Sequence, residues 1–363
     1  MITPADRARA AALLDAFAAT GAARVETSIL QPAGTLLDLY GEDIRARAFT
    51  TQDPHQGEVM LRPDFTVPVV QAHMETGAEP ARYCYAGEVF RRQEIDAARP
   101  REYLQVGYEV FDGRDPAAAD AEVFDLIARA LAPWSPRPAT GDLGLLIAAV
   151  AALTTSERRR AALRRHIWRP RRFRRLMDRF TGRAEAPATR TALLARLTTE
   201  TPEAVIAGAG PAVGLRAAPE IAARVRALAE DTTLPPVAPA EAQAIDAMLA
   251  VEGTLAGAIG PIRDLAVDLP GLDAAADRLE ARADALARRG HDPEALPFAP
   301  ARGRTAMEYY DGFTFTFSSP DRSDLPPLAT GGRYDALTAG LGAGRSIPAV
   351  GGVIRPGLLG DAR

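Results

Sequence analysis

The chain contains no lysine, so all 43 of its basic side chains are arginine. That absence excludes a Schiff-base lysine and the lysine of a P-loop, and "GLGAGRS" at 340–346 is therefore no Walker sequence. A single cysteine, Cys84, excludes internal disulfides and any cysteine-cluster metal site. His55, His73, His166 and His291 are too far apart for a metal-ligand motif, so no metal is expected. There is no G-x-S-x-G, which argues against a serine-hydrolase elbow. No apolar run approaches the roughly 20 residues of a membrane span. The amino terminus, "MITPADRARAAALLDAF", carries acids at Asp6 and Asp15 within an amphipathic pattern, so no signal peptide is expected. With one cysteine, the expected compartment is the cytoplasm. A net charge of −4 gives no global attraction to nucleic acid.

What is present suits a soluble globular protein with a sizeable core. The 363 residues are 47% hydrophobic and 25% charged, enough for one large domain or two ordinary ones. Residues 4 to 20 carry a helical pattern, with Leu13, Leu14 and Phe17 on one face and Gly21 as a stop. Val59 to Val70 alternates like a strand, and Pro63 and Pro68 make it an edge or irregular segment. "RYCYAGEVFR" and "EYLQVGYEVFD" read as two strands joined by the polar stretch 92–101. An acid-led helix follows over 115–131. An alanine-rich helical region then runs to about 290, interrupted by "TTLPPVAPAE" and closed by a helix over 271–290. Strand patterning returns in "AMEYYDGFTFTFSS". The fold class expected is α+β: an antiparallel sheet flanked by helices forming one core domain, 1–363, with a mostly helical insertion at about 155–290.

Period-two alternation in the second strand puts Gln105, Gly107 and Glu109 on one face and Leu104, Val106, Tyr108 and Val110 on the other. Gln105 and Glu109 are then about 13 Å apart, with a glycine leaving the strand open between them. An antiparallel sheet with one wet face has the same pattern. In "LRPDFT", Asp64 and Thr66 suit an ammonium group, although an ordinary turn shares that composition. Tyr309 and Tyr310 can line a pocket or simply pack. Residues 156–183 hold twelve arginines against two acids, and the periodic Leu163, Ile167, Phe173, Leu176 and Phe180 point to a solvated helical face or a partner contact in preference to a polyanion surface.

Four segments, in order, resemble the catalytic core of histidyl-tRNA synthetase, a class II aminoacyl-tRNA synthetase. "VFRRQE…RPREYLQVGYEVFD" is similar to class II motif 2, and "MLRPDFT" to the family's leucine-arginine-proline-acid-x-threonine loop. "MEYYDGFTFTF" resembles its paired-tyrosine motif and "TGGRYDAL" its Gly-Gly-Arg-Tyr-Asp motif. Carried over by position, the resemblance implies that Asp64 and Thr66 meet a histidine ammonium, with Asp where the synthetase has Glu. Arg91 would meet the carboxylate, Gln105 and Glu109 would face the ligand, and Tyr309 and Tyr310 would flank the imidazole, with Tyr334 a further candidate.

The activating residues depart from the family. Thr305 stands where the synthetase has a catalytic arginine, and Leu358 where it has the arginine that clamps ATP. Gly357 replaces a neighbouring glutamate, and Gln93 replaces an acid in motif 2. The last residue, Arg363, follows shortly, so no anticodon-binding domain is expected, and "LQPA" at 30–33 departs from motif 1. Each lost arginine at a phosphoryl site would cost about 10³-fold. This combination resembles a regulatory branch of the family, the ATP phosphoribosyltransferase regulatory subunits. Membership implies no catalytic residue and no cofactor, L-histidine as effector, and the short catalytic subunit as partner. A dimer within a hetero-oligomer is implied as well, with neither tRNA nor membrane involved. The alternative is a truncated ligase that activates histidine or another amino acid for a non-tRNA acceptor.

Overall fold

The computed structural model describes residues 2–34, 37, 48–92, 100–211, 214, 216–304 and 309–360. Helix α1 (Pro4–Ala18) begins at Thr3, whose hydroxyl accepts from the Asp6 N–H while Asp6 accepts from the Thr3 N–H, a reciprocal cap. It buries Leu13 and Phe17 against the main sheet. β1 (Ala23–Arg24) leads to a small antiparallel sheet of β2 (Leu30–Pro32), β3 (Thr50–Asp53) and β4 (Gly57–Leu61), in the order β2-β4-β3.

The strand expected over Val59–Val70 is confirmed only as far as Leu61. From Thr66 to Thr76 the chain is a helix, α2. Pro68 lies in its first turn, where the backbone N–H has no intrahelical partner to lose, and Val67, Val69, Val70 and Met74 are buried. Here β-branched residues and a proline imitate an edge strand.

β5 (Ala81–Phe90) and β6 (Glu102–Phe111) pair antiparallel, as their patterns predict, with Tyr85 opposite Gly107 and Gly87 opposite Gln105. Helix α3 (Pro116–Leu131) starts at Asp115, which caps the Ala118 N–H at 2.9 Å. β7 (Arg137–Asp142) precedes a run of helices: α4 (Leu143–Ala152), α5 (Glu157–Arg164), α6 (Pro170–Phe180), α7 (Ala188–Arg196), α8 (Pro202–Ala207), α9 (Ala218–Thr233) and α10 (Pro239–Leu249). After β8 (Gly253–Thr254) come α11 (Leu255–Leu265) and α12 (Asp273–Arg288). β9 (Pro297–Phe298), β10 (Phe313–Ser318), β11 (Ala329–Arg333), α13 (Asp335–Leu341) and β12 (Ala349–Ile354) complete the described fold.

The main sheet has nine strands in the order β1-β5-β6-β12-β11-β10-β7-β9-β8. Its described pairs are antiparallel except β1 with β5 and β7 with β9. α3 covers one face: the Phe124 ring meets Phe315 at 5.5 Å and Phe317 at 5.0 Å, so the expected alternation of β10 is real. The strand begins at Phe313, however, leaving Tyr309–Gly312 as a connecting segment. The arginine-rich stretch is amphipathic: Leu163, Ile167, Phe173, Met177 and Phe180 are buried while most of its arginines are not. Arg159 is the exception, buried and bonded to Asp231 at 2.7 Å.

Candidate functional site

On the sheet face opposite α3, β6, β10, β11 and β12 present Gln105, Thr316, Thr330 and Val353 to a cavity of about 470 Å³. The loop before α2 brings Asp64 and Thr66 to its edge. That loop is held by Arg62, whose guanidinium donates to Glu88 O at 2.8 Å and lies 3.9 Å over the Phe65 ring. Arg91 closes the same side and donates through Nε to Pro63 O at 2.9 Å. Tyr309 and Tyr310 supply an aromatic wall, their rings 5.0 Å apart and nearly perpendicular, with Tyr334 6.0 Å from Tyr309. The Trp168 indole anchors that wall by donating to Tyr310 O at 2.9 Å.

Asp64, Thr66, Arg91, Gln105, Tyr309 and Tyr310 thus line one cavity, together with Tyr334. Glu109 does not line it and sits beneath. Its Oε1 accepts from Thr66 at 3.0 Å and Tyr85 at 2.7 Å, and its Oε2 accepts from Tyr334 at 2.6 Å. Burial pushes its carboxyl up to about 7 against these hydroxyl donors, and Asp64 adds repulsion. Glu109 therefore meets the cavity only indirectly, through Thr66 and Tyr334. Gly107 is not open space either. The Tyr85 ring from the neighbouring strand lies across it, where a Cβ would collide with that ring. Gly351, opposite Glu109 on β12, likewise leaves room for the Glu109 carboxylate that any Cβ would strike.

Two arginines that line the cavity, Arg302 and Arg355, are not among the candidates named from the sequence. Position along the motif assigns the place of the clamping arginine to Leu358. Leu358 belongs to the short 3-10 turn after β12, whereas the Arg355 guanidinium reaches back, donating to Pro327 O at 2.8 Å and Thr330 Oγ1 at 3.2 Å. Burial, with Arg91 nearby, lowers its pKa. The signal was there: Gly351, Val353 and Arg355 alternate onto one face of β12, and Val353 and Gly351 line the cavity. Arg302 precedes Gly303, whose φ of +94° makes the turn that brings it inward. Arg304 turns elsewhere, donating to Ile167 O at 2.8 Å beside Phe173. Burial and Arg174 push that guanidinium down to about 10. Gln93, Thr305 and Glu308 lie outside the described residues.

Chemically, the cavity offers one carboxylate, Asp64, and three guanidiniums, Arg91, Arg302 and Arg355, at its wall. Gln105 is 1% exposed, and its Oε1 has no hydrogen-bond partner among the described residues. A buried acceptor without a donor costs about 1–3 kcal/mol, which a ligand N–H would recover. The arrangement can bind a zwitterion: carboxylate on arginine, ammonium on Asp64 and Thr66, and a flat side chain against the tyrosines.

The sequence model of the histidyl-tRNA synthetase family matches residues 4–234 and 220–356. An ATP phosphoribosyltransferase regulatory subunit of Brucella canis is 33% identical over 344 residues, covering 90% of this chain and 89% of the relative. Its counterpart from Brucella ovis has the same identity and coverage. Among solved structures, an ATP phosphoribosyltransferase regulatory subunit/histidyl-tRNA synthetase from Bacillus halodurans superposes with a TM-score of 0.66 at 20% identity, covering 99% of this chain and 80% of that one. Histidyl-tRNA synthetase from Nostoc gives 0.62 at 16% identity, with 98% and 72% covered. At these identities the structures speak for the fold.

Proposed function

The chain belongs to the ATP phosphoribosyltransferase regulatory subunits, a branch of the histidyl-tRNA synthetase family, and we propose that its cavity is the histidine sensor of such an assembly. In this reading it joins the short catalytic subunit for the first step of histidine biosynthesis, in the cytoplasm, as a dimer within a hetero-oligomer. Catalysis takes place on that partner, and L-histidine in this cavity lowers it. No helix among the described residues is long and apolar enough to cross a membrane. Residues 1–363 form one synthetase-like core with the helices of about 155–290 inserted, and the chain takes no tRNA.

The observation that carries the reading is Gln105, a buried carbonyl oxygen lacking a donor among the described residues, in a wall that also holds Asp64 and Arg91. Histidine can supply N–H groups to Gln105 and Asp64 and a carboxylate to the arginines. Feedback then follows if the occupied form favours a less active arrangement of the assembly, which requires different affinities in the two arrangements. The test is co-purification with the short catalytic subunit and assay with and without histidine. Asp64→Ala should keep assembly and weaken histidine inhibition at least about tenfold, the scale of a lost charge-assisted contact. A partner that is fully active alone, in a mixture indifferent to histidine, would overturn the proposal.

Arg91 and Arg355 in one cavity favour a second reading, in which this chain activates an amino acid itself. Histidine-dependent exchange of pyrophosphate into ATP would establish that reading, and its absence supports the sensor.

A further inference from the structure

The segment Tyr309–Gly312 separates two cavities. Tyr309 and Tyr310 face the one already described, while Asp311 and Gly312 face another, of about 700 Å³. Ile147, Ile167 and Trp168 give the second cavity an apolar wall, and Arg282 of α12 and Arg333 of β11 stand at its polar side. Its volume is within the range of small-molecule sites.

Five carboxylates, Asp115, Asp120, Asp142, Asp311 and Asp335, and four guanidiniums, Arg164, Arg278, Arg282 and Arg333, line the cavity. Arg282 donates to Asp120 at 2.8 Å and Asp142 at 2.6 Å. Arg333 donates to Asp120 at 2.7 Å and Asp335 at 3.0 Å. These pairs leave a further carboxylate, Asp311, whose oxygens accept only backbone N–H groups, from Asp335 at 3.1 Å and Ala336 at 2.5 Å, among the described residues. Asp120, Asp142 and Asp335 thus take guanidinium hydrogen bonds from Arg282 and Arg333, Arg164 is bonded to Glu157, and Asp311 takes no guanidinium hydrogen bond among the described residues. Burial and the adjacent Asp335 push Asp311 up to about 7, against the backbone donors and Arg333, which favour its charge. Trp168, fixed by its bond to Tyr310 O, adds an aromatic side chain to the cavity lining.

We propose that this cavity is a second binding site, for a small molecule that presents a protonated amine to Asp311 and an apolar body to Ile147, Ile167 and Trp168. The amine gives Asp311 a charged hydrogen-bond donor, which it does not have among the described residues, and the body displaces water from apolar surface. The site is independent of the amino-acid cavity in its contacts, yet only one peptide unit from Tyr310.

The chain has two tryptophans, and Trp134 donates to Gly360 O away from the cavity, so Trp134→Phe leaves Trp168 as the fluorescent reporter. Phenethylamine is the probe, titrated by fluorescence and calorimetry. The expected result is saturation below about 10 mM, with phenethyl alcohol, the uncharged isostere, at least about tenfold weaker. Asp311→Asn should weaken the amine at least about tenfold. Ile147→Trp, which fills the cavity from its apolar wall, should abolish binding in a folded protein and serves if the Asn variant does not fold. Asp64→Asn, which disables the first cavity, should leave the amine affinity within about twofold. Failure to saturate, alcohol binding equal to amine binding, an unaffected Ile147→Trp, or loss of the amine with Asp64→Asn would each overturn the proposal.

Discussion

The cavity floored by Gln105 and the cavity edged by Asp311 share one wall, Tyr309–Gly312, and differ in how their polar groups are satisfied. In the first, the carboxylate within the protein, Glu109, takes three hydroxyl hydrogen bonds, while among the described residues the amide of Gln105 is left with an unused acceptor. In the second, Asp120 and Asp142 are neutralised by Arg282 and Arg333, while Asp311 has only backbone donors among the described residues. Each cavity therefore combines a closed polar network with one deficient group on its surface. The closed networks hold the fold, and the deficient groups mark where a ligand would be bound. Removing a member of a closed network should cost stability, and removing a deficient group should cost only binding.

The largest expected effect is on the closed side. Arg282→Met removes the guanidinium from Asp142 and one of the two guanidiniums that Asp120 shares, and both carboxylates are nearly solvent-free, at 4% and 1% exposure. Breaking a buried pair in this way costs about 3–5 kcal/mol. Urea unfolding should register that loss for Arg282→Met and a change of no more than about 1 kcal/mol for Gln105→Leu in the first cavity. Equal stabilities for the two variants would erase the distinction between closed and deficient groups.

Much of the first cavity was legible in the sequence because strand alternation is a strict geometric rule. Gln105 and Glu109 share a face as the pattern required, and the two strands of motif 2 pair as expected. What alternation alone could not supply was depth. Tyr85, from the adjacent strand, covers Gly107, and Thr66 and Tyr334 cap Glu109, so one of two like-facing residues lies beneath the other's cavity. Arg355 was missed because motif positions were counted along the chain, although its reach is set by backbone direction and side-chain length. The second cavity was invisible in the sequence. Asp120, Asp142, Arg282, Asp311 and Arg333 come from five distant segments, and nothing local links them. The strand expected to continue into α2 shows the same limit, since burial of Val67 and Val70 suits either element.

Glu109 and Asp311 also make the comparison testable by pH, because burial pushes both up to about 7. Glu109 is faced by Tyr85, Thr66 and Tyr334, with Asp64 repelling it; Asp311 is faced by Asp335 and Arg333. For each, the folded protein holds the proton more tightly than the unfolded chain does. Their contribution to stability is therefore full below about pH 4 and is lost as pH rises through 7. The melting temperature, followed from pH 5 to pH 8, should fall less in Glu109→Gln and in Asp311→Asn than in the parent. Each variant should remove at least about 1 kcal/mol of that pH dependence. A slope unchanged in both variants would mean that neither carboxyl is protonated in the folded protein near neutrality.

The smallest expected change in stability belongs to Gln105→Leu, and it separates fold from function most sharply. The substitution keeps the side chain's approximate bulk and removes an acceptor that is buried without a donor. Replacing such a group by an apolar one removes an unpaid desolvation cost, so the protein should melt at the same temperature or be more stable by about 1 kcal/mol. Histidine binding, measured by calorimetry, should nevertheless weaken at least about tenfold, because the ligand N–H would then be buried against a methyl group. A large loss of stability would instead assign Gln105 to the closed network with Glu109. Unchanged stability with unchanged histidine affinity would move the ligand out of this cavity altogether.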